Sequence, residues 1–169
     1  KQMSWLLPFG LLSLGLMLLG ARLRYPLASE HQALVLWGGW LLTCLVFFSS
    51  VEGIFHAYYV IMLAPALGAV VGAGFMQLWR WMGPKVWTSG ILLLGAGVTL
   101  AFQIFSARQY GVTSAWIYLP WLLLLFAMGM SLLKALRPAA YLLILTTMLI
   151  IPLVWTTLTV LDESPNVNL

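Results

Sequence analysis

Apolar residues in this chain do not alternate with polar ones; they come in long runs. The first goes from about Met3 to Ala21, broken only by Gly, Ser and Pro8, and stops at Arg22-Leu23-Arg24. A polar connection, Tyr25 to Gln32, leads into a second run over 33–48. Further runs cover 59–79, 86–105, 116–133 and 138–160. A helix that crosses the hydrocarbon core takes about 20 mostly apolar residues, so each run is a candidate span. Lipid offers no partner to open backbone N–H and C=O groups, which forces continuous helix in such segments. Two connections, Trp81-Met82-Gly83-Pro84 and Lys134 to Arg137, are so short that the helices they join must be antiparallel neighbours. The predicted fold is all-α, a polytopic membrane helical bundle of about six transmembrane helices. It occupies residues 1–161, and 162–169 starts an extracytoplasmic segment.

Composition narrows the function classes. Of the 169 residues 63% are hydrophobic and 7% charged, against about 25% charged in an average soluble domain. The mean hydropathy is +1.02. A soluble globular domain, a disordered tail and a nucleic-acid module are excluded, despite a net charge of +4. The single cysteine, Cys44, has no disulfide partner and reads as a small packing residue within a span. The chain opens at Lys1 with no signal-peptide pattern and closes on a polar stretch, Asp162 to Leu169. It reads as part of a longer membrane protein.

The positive charges predict the orientation. Connections one, three and five hold Arg22, Arg24, Arg80, Lys85, Lys134 and Arg137, whereas the opposite side holds Lys1 and Arg108. A 6:2 split over short loops puts the first set in the cytoplasm. Residues 49–59, 106–115 and both termini are then extracytoplasmic, in a multi-pass protein of the inner or plasma membrane. Glu52, Asp162 and Glu163, three of the four acidic residues, lie on that outer side. Glu30 and His31 fall on the inner side as interfacial residues. The six inner basic residues are topology determinants that also suit anionic lipid headgroups.

The connection between spans two and three stands apart, reading Ser49-Ser50-Val51-Glu52-Gly53-Ile54-Phe55-His56-Ala57-Tyr58-Tyr59. His56, Tyr58, Tyr59 and Glu52 can donate to or accept from a phosphate or a sugar hydroxyl. A helix start nearby favours an anionic ligand. Composition alone favours a plainer reading, an interfacial turn with aromatic anchors. Next, Pro65 removes a backbone donor, so a kink is expected early in span three. Ala64, Gly68 and Gly72 recur every four residues, which predicts a smooth stripe packed inside the bundle, with Gly68 and Gly72 as its tight pair.

The run Phe55-His56-Ala57-Tyr58-Tyr59, followed by Leu63-Ala64-Pro65 and Gly72-Ala73-Gly74, resembles a segment of bacterial membrane glycosyltransferases. These are the family 39, PMT-like enzymes of the GT-C class, related to ArnT and to proteins of the YkcA/B type named as mannosyltransferases. Ala57 stands where that family commonly has proline. The resemblance is specific over about 47–80, and elsewhere only hydropathy and the order of spans agree. It implies transfer of a sugar from a polyprenyl-phosphate donor to an acceptor at the extracytoplasmic face. It also implies an essential acidic residue in an N-terminal half that this chain lacks, so the catalytic base is expected outside these residues and the piece alone is expected to be inactive. The expected partners are the polyprenyl-phosphate-linked sugar, membrane lipids and that N-terminal half, with no nucleic acid.

His56, Tyr58 and Tyr59 are the primary donor-binding candidates. Arg108 is a further one, able to grip a phosphate with two N–H groups or simply to snorkel from the end of span four. Glu52 completes the set, although a lone carboxylate more often serves as a solvated charge or an ion-pair partner. No Cys/His cluster has metal-ligand spacing, so no metal site is expected here, while a divalent metal bound elsewhere in the parent stays open. Two other classes compete: a transporter or flippase fragment for lipid-linked sugars, and a structural membrane anchor. Neither a repeat nor a charge in the middle of a span favours the transporter.

Overall fold

The structure, a computed structural model, describes residues 5–20, 25–50, 61–83 and 87–161. Helix is the regular structure throughout the described residues, with no strand among them. Six helices follow in order: α1 (Leu7–Leu19), α2 (Ser29–Ser50), α3 (Leu63–Arg80), α4 (Trp87–Gln109), α5 (Leu119–Leu132) and α6 (Arg137–Leu161). Four stretches are long and apolar enough to cross a membrane: Ser29–Ser50, Trp87–Gln109, Ala115–Leu132 and Lys134–Leu158. Helix α1, with 13 residues, reaches only about 20 Å at the usual rise per residue. The all-α membrane architecture read from the apolar runs is therefore the one observed.

The chain divides into two compact units, Lys1–Arg80 and Trp81–Asn168. In the first, α1 lies along α3, and α2 packs on both. Pro8 sits in the first turn of α1, where a missing N–H costs nothing. Helix α2 passes through a π-helical stretch, Leu34–Gly38, before resuming α geometry. Gly38 at its end is buried, and a Cβ there would come within 2.9 Å of Leu14.

Two expectations for α3 change. The helix begins at Leu63, so Pro65 falls in its first turn, where no intrahelical donor is required, and the expected kink has no cause. The predicted stripe of Ala64, Gly68 and Gly72 faces outward. A Cβ added at Gly68 or Gly72 would meet nothing within 4 Å. The opposite face is the buried one, carrying Leu63, Leu67, Val70, Gly74 and Leu78. The close approach is made by Gly74, where a Cβ would run into the Ser13 side chain and lie 2.8 Å from its Cα. Four-residue spacing of small residues locates a smooth face but does not say which partner it meets.

In the second unit α6 packs against both α4 and α5, with Tyr141, Ile144, Met148 and Ile151 fully buried along it. Pro152 lies inside α6. It cannot donate to the carbonyl of Met148, four residues back. Gln103 of α4 fills that gap: it is fully buried, and its Nε2 donates to the Met148 carbonyl at 2.9 Å. Arg137 does similar work at the other end. Although basic and in a turn, it is only 6% exposed. Its Nε donates to the Ser131 carbonyl at 3.0 Å and its Nη1 to the Gly83 carbonyl at 2.5 Å. Ser131 lies in the last turn of α5, whose carbonyls have no intrahelical donor. Beyond any part in topology, Arg137 ties two turns together.

Candidate functional site

Helix α4 ends in a specific cap. Gly111 has φ +80°, its N–H donates to the Arg108 carbonyl at 3.0 Å, and the Val112 N–H donates to the Ala107 carbonyl at 3.2 Å. This pair of bonds around a left-handed glycine is the Schellman motif. It fixes the last turn, and with it Arg108. The Arg108 guanidinium lies 5.6 Å from the Tyr118 ring centroid and donates through Nη2 to the Tyr118 hydroxyl. Tyr118 closes the short 3-10 turn Ala115–Tyr118 that leads into α5. Beside Arg108 in sequence, Tyr110 rests on Trp155 of α6 with ring centroids 5.6 Å apart. Arg108 is exposed and has no carboxylate partner among the described residues. It is a cation held by aromatic and hydroxyl contacts, with its remaining N–H groups open to an anion.

At the Ser29 end of the first unit, a cleft of about 190 Å³ opens where α2 begins and α3 ends. Met17, Ser29, Glu30, Met76, Gln77 and Arg80 are among its lining residues. Arg80 Nη1 and Glu30 Oε1 pair at 2.9 Å, and Ser29 Oγ donates to Glu30 Oε2 at 3.2 Å. Gln77 is 5% exposed and has no hydrogen-bond partner among the described residues. His31 is 2% exposed, and its Nδ1 has no partner among the described residues.

Comparison with known proteins finds two similar chains. The chain is 42% identical over 111 residues to "Putative mannosyltransferase YkcB" of Bacillus subtilis (strain 168), an alignment covering 64% of this chain and 15% of that protein. It is 35% identical over 162 residues to "Putative mannosyltransferase YycA" of the same organism, covering 91% of this chain and 24% of the relative. The chain fits the membrane part of a PMT-like glycosyltransferase. It spans about a quarter or less of the curated relatives' own length. No protein-family profile matches it, and no solved structure matches it significantly.

The candidates from sequence divide sharply. Glu52, His56, Tyr58 and Tyr59 lie outside the described residues. Arg108 is the member of the set whose surroundings are seen. No group of His, Cys, Asp and Glu among the described residues is arranged to hold a metal ion. Tyr118 is not among the candidates from sequence, and the contact with Arg108 appears only once the chain has turned at Gly111. Sequence reasoning also missed the joining of Glu30 to Arg80, fifty residues apart, for which no local pattern exists.

Proposed function

We propose that the chain is the membrane part of a GT-C glycosyltransferase that moves a sugar, mannose or a related hexose or pentose, from a polyprenyl-phosphate donor to an acceptor hydroxyl at the extracytoplasmic face of the plasma membrane. The observation that carries this reading is the 35% identity, over 91% of the chain, to a protein named as a mannosyltransferase. The acceptor oxygen attacks the anomeric carbon, the bond from that carbon to the phosphate oxygen breaks, and polyprenyl phosphate leaves. The acceptor proton goes to a carboxylate supplied by a segment outside these 169 residues. The residues here bind and orient the donor. His56, Tyr58 and Tyr59 address its phosphate or pyranose hydroxyls, with Glu52 as an additional acceptor. The Arg108 guanidinium addresses the phosphate with its free N–H edge. The charge split supports an outer location for both 49–59 and 106–115.

The test is donor titration with the intact protein in membranes. Arg108→Gln should raise the KM for a polyprenyl-phosphate sugar about tenfold with kcat little changed, the effect of losing one charge-assisted contact. Arg108→Lys should recover only part of this, because an ammonium cannot grip in the two-pronged manner of a guanidinium. An unchanged donor KM in both variants would leave Arg108 as an interfacial residue resting on Tyr118.

A further inference from the structure

The Glu30–Arg80 cleft is not used by the sugar-transfer reading. Residues 51–60 follow the Ser50 end of α2, and the cleft lies at its Ser29 end. Arg80 and Glu30 place one positive and one negative charge side by side, with side chains 59% and 30% exposed. Gln77, nine-tenths buried, turns an amide with no partner among the described residues into the same space. The amide lines the cleft rather than being sealed behind it, so it is open to a polar group of a ligand. Apolar surface from Met17, Ala33 and Met76 lines the rest.

We propose that this cleft holds the headgroup of a zwitterionic phospholipid carrying a primary ammonium, phosphatidylethanolamine in chemical class. A purely anionic headgroup would be repelled by Glu30, and a purely cationic ligand by Arg80. A phosphate joined by a two-carbon link to an ammonium matches both: the phosphate takes the free N–H groups of Arg80, and the ammonium donates to the Glu30 carboxylate. The amide of Gln77 meets the glycerol ester oxygens. A trimethylammonium group has no N–H to give Glu30, and it is recognised by aromatic cages. No aromatic side chain among the described residues lines this cleft.

The ligand is a membrane lipid because of where the cleft sits. Ser29 and Glu30 open a helix of 22 residues apolar enough to cross the bilayer, which sets them at headgroup depth. From the cleft, the outward face of α3 continues through Gly72 and Gly68, where nothing stands within 4 Å of a Cβ position. That smooth groove gives an acyl chain room to lie against the helix.

The experiment is native mass spectrometry of the intact protein released from nanodiscs containing equal parts of phosphatidylethanolamine, phosphatidylglycerol and phosphatidylcholine. The expected result is retention of phosphatidylethanolamine about tenfold above either other lipid, the ratio that one charge-assisted contact supplies. Glu30→Gln should switch the preference to phosphatidylglycerol, a gain that misfolding cannot imitate. Gln77→Leu should lower retention of phosphatidylethanolamine while the Glu30–Arg80 pair stays in place. Excess soluble glycerophosphoethanolamine should not displace the bound lipid. Equal retention of the three lipids, an unchanged preference in Glu30→Gln, or displacement by the soluble headgroup would each overturn the assignment. None of these readouts depends on sugar transfer, so this proposal and the transferase reading fail separately.

Discussion

The two halves of the molecule differ in where their polar groups go. In Trp81–Asn168, polar side chains inside the helices close on the unit's own backbone: Gln103 covers the carbonyl that Pro152 leaves open, and Arg137 ties the turns at Gly83 and Ser131. In Lys1–Arg80, Ser13 likewise returns to the Phe9 carbonyl, but other polar groups face open space or find no partner among the described residues. Gln77 opens into a cleft, the His31 Nδ1 is buried alone, and the outward face of α3 is made of residues too small to fill it. The second unit is built as a scaffold. The first keeps polar groups at an open cleft as well, and both units show that low charge in a membrane segment does not mean low polar content of the interior.

The largest effect that tests this contrast comes from Arg137→Met. It removes two hydrogen bonds from a buried cation, and hydrogen bonds to charged groups are worth about 1.5–3 kcal/mol each. Equilibrium unfolding in bicelles should show a loss of at least about 2 kcal/mol. A change near zero would mean that the second unit is not held by its internal polar contacts. Next is Gly74→Ala, whose Cβ runs into Ser13 on α1. Overpacking of this kind costs about 1–3 kcal/mol. The same substitution at Gly68 should be neutral or stabilising by up to about 1 kcal/mol, since alanine is the better helix former and the position is open. Equal losses at Gly68 and Gly74 would show that the outward stripe is already packed.

Smaller effects refine the picture in the second unit. Gln103→Leu should cost about 0.6–1.7 kcal/mol, the range for hydrogen bonds between membrane helices. Restoring the backbone donor with Pro152→Ala should remove most of that penalty, because the Met148 carbonyl regains its own N–H partner. Gly111→Ala forces a side chain into the left-handed region at φ +80°. It should lower stability by about 1 kcal/mol and loosen the turn that holds Arg108.

Much of the architecture was legible in the sequence, because lipid leaves an apolar run no option but helix. The small-residue stripe was misassigned to the interior, since four-residue spacing marks a face of α3 without naming its partner. Gly74 was the packing position, and only the proximity of Ser13 reveals it. The exchange between Pro152 and Gln103 was present in the letters as a proline and an amide in separate spans, but pairing them needed the register of α4 against α6. For the candidate site, Arg108 stands out in the sequence as the basic residue of the outer connections. Tyr118 became its partner only through the Gly111 turn. The Glu30–Arg80 pair brings together residues fifty positions apart, and no periodicity links the start of one helix to the end of the next.

The most direct test of the central claim is transfer of labelled sugar from a polyprenyl-phosphate donor to endogenous acceptor, by the intact protein in membranes. Wild type is compared with His56→Ala at matched protein level. The transferase account predicts that transfer collapses in the variant while the protein level and the unfolding midpoint stay the same. Undiminished transfer would contradict the donor-binding role given to His56, and would leave the His-Ala-Tyr-Tyr run as an interfacial turn and this part of the chain as a membrane anchor.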